Sequence, residues 1–240
     1  MNVTIADESK FLTGLESDEV PIFEKAEFGV ESESCPPGKV PIHRNKHGVP
    51  RLYGDNKTRF TAYWTTDNYK SGCYNVECPG FVQMHPYYHL GQDIGNASIS
   101  GLKQYVVDLG INQDHSTGNW WLIIYGTEKV GYWPKEHFNH LNEGASFVQY
   151  CGWRYISSDG ISPPMGSSSL PTLDYKTSSF FAQVKTADSS YTGDDIDFGT
   201  LYGDTSPQCY DVKYFYNQGG KLRKTFAYGG TGGKLSLCGT

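Results

Sequence analysis

Apolar and polar positions along this chain repeat with the period of strands. Gln104-Tyr-Val-Val-Asp-Leu-Gly-Ile111 puts Tyr105, Val107, Leu109 and Ile111 on one face, the period of two expected of a half-buried strand. Phe60 to Thr66 is β-branched and aromatic, and Trp120 to Tyr125 is apolar throughout, which predicts a strand covered on both faces. Asp114 to Asn119 supplies the turn before it, and Lys129 to Trp133 follows Gly126 as the next strand. One short helix is expected after Pro134, with Phe138 and Leu141 on a shared face and Gly144 closing it. Further strands are expected over Ser146 to Ile156, Ser179 to Lys185, Tyr210 to Asn217 and Leu222 to Tyr228. Many short strands with one helix predict an all-β fold, an antiparallel β-sandwich of two sheets or a barrel.

Composition supports that class. The chain has 240 residues, 15% aromatic and only 19% charged, with 28 Gly and 12 Pro. Such a length suits one large all-β domain or two small ones. The net charge of -6 argues against a nucleic-acid partner, which needs Lys and Arg for its phosphates. No run of 18 apolar residues predicts a membrane-spanning helix. The charge is unevenly placed. Residues 1–34 hold nine acids and two bases, net -7, so the other 206 residues carry 18 bases and 17 acids, net +1. Residues 1–34 therefore read as a solvated acidic arm or the remnant of a pro-segment, ahead of a body at 35–240. No basic, apolar leader opens the chain.

Six cysteines, Cys35, Cys73, Cys78, Cys151, Cys209 and Cys238, allow 15 pairings, and Cys73 and Cys78 can close a tight loop. N-glycosylation sequons stand at Asn2, Asn56 and Asn96. Together they place the protein in an oxidising, extracellular setting.

Other candidate chemistries are weaker than their plain alternatives. His85 and His89, four apart, would share a face of a strand, but Pro86 and the lack of a third ligand favour surface histidines over a metal site. His137 and His140 read as exposed helix polarity. Met165-Gly-Ser-Ser-Ser169 lacks the pattern of a nucleophile elbow, and Asp194-Asp195 reads as solvated charge. Gly229-Gly-Thr-Gly-Gly233 is a turn, not a phosphate loop. Of Trp64, Trp120, Trp121, Trp133 and Trp153, at least three are expected in the core, although such rings can also stack on sugars or proline. No cofactor and no metal are expected.

A set of motifs is shared with one family. These are Cys35-Pro-Pro-Gly-Lys-Val-Pro-Ile-His-Arg44, Tyr53-Gly-Asp55, Tyr63-Trp-Thr-Thr-Asp67 and Gly72-Cys-Tyr-Asn-Val-Glu-Cys-Pro-Gly-Phe-Val-Gln83. Asp114, Gly118-Asn-Trp-Trp-Leu122, Val130-Gly-Tyr-Trp-Pro134, Met165-Gly-Ser167, Cys209-Tyr-Asp211 and Phe226-Ala-Tyr-Gly-Gly230 to Cys238 complete it. In these the chain resembles the neprosin domain, the catalytic domain of plant glutamic endopeptidases that cut after proline. The resemblance covers residues 35 to 240 with one interruption. It implies a secreted β-sandwich, disulfides Cys73–Cys78 and Cys209–Cys238 with Cys35 and Cys151 left over, and proline-containing peptides as partners.

The resemblance also implies two glutamates, one activating water while its protonated partner donates to the oxyanion. One lies in a strand between the opening motif and Tyr53-Gly-Asp55. Here only Asn45 to Leu52 separate those motifs, and the strand has no counterpart. The other ends a Val-Glu-Trp-Gly-Gly-Glu stretch, which aligns with Val148-Gln-Tyr-Cys-Gly-Trp153. Trp153 thus occupies a catalytic position, and no catalytic residue is assigned. The domain is expected to be shortened and inactive, or to be read from an incomplete gene for an active peptidase. The alternative is an extracellular, non-enzymatic peptide- or glycan-binding sandwich.

Overall fold

The computed structural model describes residues 24–25, 47–48, 51–52, 57–66, 72–95, 98–146, 148, 150–151, 160–188, 190, 193–195, 207–215 and 222–238. Two compact units are formed. One contains Glu24–Ala97 and Tyr105–Val148, the other Ser98–Gln104 and Gln149–Thr240.

Strands of the first unit are β1 (Glu24–Lys25), β2 (His47–Gly48), β3 (Arg51–Leu52), β4 (Arg59–Phe60), β5 (Tyr63–Trp64), β6 (Cys73–Tyr74), β7 (Val82–Gln83), β8 (Gln92–Asp93), β9 (Tyr105–Val106), β10 (Leu109–Gln113), β11 (Trp120–Ile124) and β12 (Glu128–Trp133). The main sheet is antiparallel, in the order β10-β11-β12-β7. Smaller antiparallel pairs join β2 to β3, β4 to β8 and β5 to β6. The two-residue pair of β1 with β9 is parallel, an exception to the expected antiparallel pattern.

Burial follows the pleat. Along β11, Trp120, Leu122 and Ile124 are buried, while Trp121 and Ile123 are half-buried on the other face. The expected cover on both faces is thus complete on one face and partial on the other. Val107, Leu109 and Ile111 pack on the same core, as their spacing predicts, together with Phe60, Trp64, Phe81, Val130, Trp133 and Phe138.

The β11–β12 ladder slips by one residue. Leu122 pairs with Gly131, but Ile123 pairs with Lys129, so Val130 is the extra residue of a β-bulge. Its side chain is fully buried. Its carbonyl accepts the N–H groups of Met84 at 2.9 Å and His85 at 3.0 Å, and the Gln83 amide at 3.1 Å. Next to the bulge, Gly131 pairs with Gln83. A Cβ there would lie 2.3 Å from the Val82 carbonyl oxygen, so only glycine lets β7 come this close.

The expected helix is a single 3-10 turn, Lys135–His137. Phe138 leaves it in extended conformation and turns its side chain into the core, which ends the helix before Leu141 can join a helical face. A second turn of helix, Leu235–Cys238, was not foreshadowed by any pattern.

The second unit contains β13 (Ile161–Ser162), β14 (Met165–Gly166), β15 (Ser179–Phe181), β16 (Lys185–Ala187), β17 (Gly193–Asp195), β18 (Asp211–Phe215), β19 (Thr225–Gly230) and β20 (Gly233–Lys234). β19 is its centre, pairing antiparallel with β14, β15 and β18. Phe226 and Val184 form the core here, with Phe181 stacked on Phe226 at 5.0 Å. Ser146, Val148, Tyr150 and Cys151 lie outside any strand, and residues 147, 149 and 152–156 of that expected strand are outside the described residues. The fold is all-β and sandwich-like, and among the described residues no sheet closes into a barrel.

Gly131→Ala should lower the urea midpoint, by about 1–3 kcal/mol of stability as for overpacking of a closed contact. Asp114 provides a pH-dependent test. It accepts from the hydroxyls and backbone N–H groups of Ser116 and Thr117, which hold its carboxyl down to about 2 from the ordinary 3.8. The Ser116 hydroxyl contributes most. Because the folded pKa is depressed, this stability is fully present above about pH 4 and is lost as pH falls through about 2. Asp114→Asn should cost roughly 1 kcal/mol at pH 7, after discounting for solvent screening. It should also flatten the stability slope between pH 4 and 2, as read by urea unfolding at each pH.

Candidate functional site

The Cys73–Cys78 loop is the first place where family motif and local physics coincide. The disulfide is formed, with Cα atoms 6.0 Å apart. Asn75 inside it is buried and takes φ +52°, a left-handed conformation that asparagine tolerates better than most residues. Its Oδ1 accepts the Ala62 N–H at 3.0 Å, its own N–H reaches the Ala62 carbonyl at 2.8 Å, and its carbonyl accepts Trp64 Nε1–H at 3.2 Å. The loop thereby fixes the Trp64 indole in the core. Glu77 stands exposed at its tip, and partial burial of the carboxyl raises its pKa above the ordinary 4.5.

Beside the bulge lies a polar and aromatic cluster that the sequence did not announce. His85 and His89 are not on a strand, since β7 ends at Gln83 and Pro86 leads into turns. The shared face expected of them is therefore corrected. His85 is half-buried. Its Nδ1 accepts the N–H groups of Tyr87 at 3.1 Å and Tyr88 at 3.0 Å, and its Nε2 lies 3.2 Å from Glu128 Oε2. Two donors on Nδ1 assign the proton to Nε2, so Nε2–H donates to the carboxylate. The ring stacks on Tyr88 at 4.6 Å. Gln83 donates its amide to the carbonyls of His85 and Tyr88, at 2.8 and 2.7 Å, while its Oε1 is buried without a partner. Tyr88 meets Tyr125 edge-on at 6.2 Å, and burial first, then Tyr88 and Asp108, pushes the Tyr125 hydroxyl up to about 12. His89 is apart from this, its ring near the Leu90 carbonyl.

The outer face of the main sheet carries a third feature. Trp121 and Tyr132 are register partners with ring centroids 4.8 Å apart, and Lys129 Nζ lies 4.9 Å from the Trp121 ring centre. The two rings are tilted by 42° and the lysine cation lies over the indole, an aromatic pair with a cation–π contact. Trp64, Trp120 and Trp133 are buried in the core, as expected of at least three of the tryptophans.

The remaining candidates resolve as follows. His137 packs against Trp64, at 5.8 Å between ring centres, and is not merely exposed polarity, whereas His140 is exposed. Met165 to Ser168 is a tight turn closed by Ser168 N–H to the Met165 carbonyl. Asp194 and Asp195 lie on β17, a strand instead of the expected polar loop. Cys209 and Cys238 are bonded, with Cα atoms 5.4 Å apart. Cys151 is a free, exposed cysteine, and partial burial of its sulfur raises the thiol's pKa. Among the described residues, no three His, Cys, Asp or Glu gather as a metal set, and no helix is long and apolar enough to cross a membrane. Trp153, Cys35 and the sequon positions Asn2, Asn56 and Asn96 lie outside the described residues.

Asn75→Ala should cost about 2–3 kcal/mol, because it removes a buried hydrogen bond and places alanine at positive φ. The loss should appear in chemical unfolding, with a red shift of tryptophan emission as Trp64 loosens. Asn75→Gly, which keeps the backbone freedom, should cost less.

The four glutamates beyond the acidic arm are thus placed singly: Glu77 at a loop tip, Glu128 against His85, Glu136 in the 3-10 turn and Glu143 in the loop before Gly144. A family model for Neprosin matches residues 46–231. That span holds the Cys73–Cys78 disulfide and the bulge with its partners, and it ends before Cys238, the partner of Cys209. The chain belongs to the neprosin family.

Proposed function

We propose that this protein is a non-hydrolytic neprosin domain that binds proline-containing peptides in an extracellular setting. The observation that carries the reading is in the sequence. From residue 144 to the end there is no glutamate, and Trp153 stands where the family pattern has one. An indole neither holds nor releases a proton in this chemistry. The other glutamate's strand has no counterpart between Arg44 and Tyr53. Glu128, on a long strand, is committed to His85, and Glu77 has no second carboxylate in its loop to share a proton with.

Binding is a separate matter from chemistry. The Trp121–Tyr132 surface supports it, because proline rings stack on aromatic side chains and cost little entropy to order. A sugar ring could use the same surface, and glycan binding is the second reading. Two disulfides fit secretion into an oxidising compartment, and glycosylation at Asn2, Asn56 and Asn96 would accompany it.

The test is a proline-containing peptide incubated with the oxidised protein between pH 3 and 5. No product of cleavage after proline is expected, since loss of general acid–base groups alone costs roughly 10²- to 10⁴-fold. Trp153→Glu should not restore cleavage, because the partner glutamate is still missing. Cleavage by the wild-type chain that disappears in Glu77→Gln would overturn the reading and make Glu77 the acid.

A further inference from the structure

Two turns of the second unit put aliphatic side chains into water and hold them there. The first, residues 98–103, is closed by Ile99 N–H to the Lys103 carbonyl and by Leu102 N–H to the Ile99 carbonyl, both at 2.9 Å. In the second, residues 172–177, Asp174 Oδ1 accepts Lys176 N–H at 2.9 Å and the Asp174 carbonyl accepts Thr177 N–H at 3.1 Å. The turns are braced against each other. Gly101 N–H donates to the Lys176 carbonyl at 2.8 Å. The amide of buried Gln104 donates to the carbonyls of Ile99 at 2.8 Å and Lys176 at 3.1 Å. On this backbone Ile99, Leu102 and Leu173 are 55%, 69% and 64% exposed. Lys103 and Lys176 are exposed among them, and the Asp174 carboxylate is committed to the Lys176 N–H. Grouped aliphatic side chains fixed in water mark a surface that something covers.

The chain supplies an occupant of matching chemistry. β1 pairs with β9 in parallel, Glu24 opposite Tyr105 and Lys25 opposite Val106. Parallel strands run the same way, so the chain enters β1 from the side on which Gln104 and its turn precede β9. The residues before that entry are Phe11-Leu-Thr-Gly-Leu-Glu-Ser-Asp-Glu-Val-Pro-Ile-Phe23. They combine Phe11, Leu12, Leu15, Val20, Ile22 and Phe23 with Glu16, Asp18 and Glu19, and hold no base. We propose that residues 11–23 are a strap that docks in cis on the surface of Ile99, Leu102 and Leu173, with its acids facing Lys103 and Lys176. Complementary charge sets the register of such a contact, while the aliphatic burial holds it. Exposed ion pairs contribute little by themselves. A free partner would need more area than three aliphatic side chains offer, but a segment tethered at β1 is present at roughly millimolar effective concentration. Reach is sufficient, because the five residues from Glu24 back to Glu19 span up to about 17 Å when extended. The protein's net charge of -6 weighs against an anionic membrane as the occupant.

The experiment is zero-length carbodiimide cross-linking of the full-length, oxidised protein, with the monomer band digested and its linked peptides identified by mass spectrometry. Amide links from Glu16, Asp18 or Glu19 to Lys103 or Lys176 are expected within one chain. The Lys57–Asp93 ion pair, at 2.8 Å within the first unit, serves as the internal standard. In a Leu102→Ser, Leu173→Ser double variant the strap links should fall about tenfold relative to that standard, because the apolar hold is gone. Both positions are exposed, and an unchanged Lys57–Asp93 link shows that the variant is folded. The proposal is overturned if the strap acids reach neither lysine while Lys57–Asp93 is linked, or if the double variant links as well as the wild type. Strap links confined to a dimer band would overturn it in favour of a second copy as the occupant. Absent links, with sedimentation of the protein on phosphatidylcholine–phosphatidylglycerol vesicles, would overturn it in favour of a membrane.

Discussion

The register slip between β11 and β12 sets two consequences at one residue. Pushing Val130 out of the ladder lets its side chain fill the core and leaves its carbonyl free of a cross-strand partner. That oxygen then takes three donors from residues 83–85. A buried carbonyl must find partners, and here the partners are what dock β7 and the turn after it. Gly131 supports the same contact from the next position, because any side chain there would strike the Val82 carbonyl. His85 is delivered to Glu128 as a result, since its backbone is anchored on Val130 and Glu128 lies two residues before that anchor.

The scaffold and the chemistry of this family are separable on physical grounds. The features that make the fold need apolar periodicity, a bulge, two disulfides and a buried asparagine. All of these are present. The features that make a glutamic peptidase need two carboxylates close enough to share a proton. The body of this chain has four glutamates in 206 residues, and none after residue 143.

How much was legible varied with the kind of signal. β11, β12 and β19 could be read from apolar runs, because burial in those strands depends on local sequence. The spacing of Cys73 and Cys78 already allowed their tight loop, whereas Cys209–Cys238, 29 positions apart, followed from the resemblance alone. The helix after Pro134 was overextended, since nothing local shows that Phe138 turns inward to the core. The His85–Glu128 contact spans 43 positions and has no local signature. It arises from a bulge, and single-residue slips do not show in a period-two pattern. Asn75 was within reach, as asparagine in a tight Cys loop is a sign of left-handed backbone.

The proposed binding of proline-containing peptides without cleavage is most directly tested by calorimetry. A proline-rich peptide would be titrated into the oxidised protein near pH 4 and the same sample then analysed by mass spectrometry. The account predicts saturable heat, reduced in a Trp121→Ala variant, with the peptide recovered intact. A peptide cut after proline, or no heat at any concentration, would contradict it.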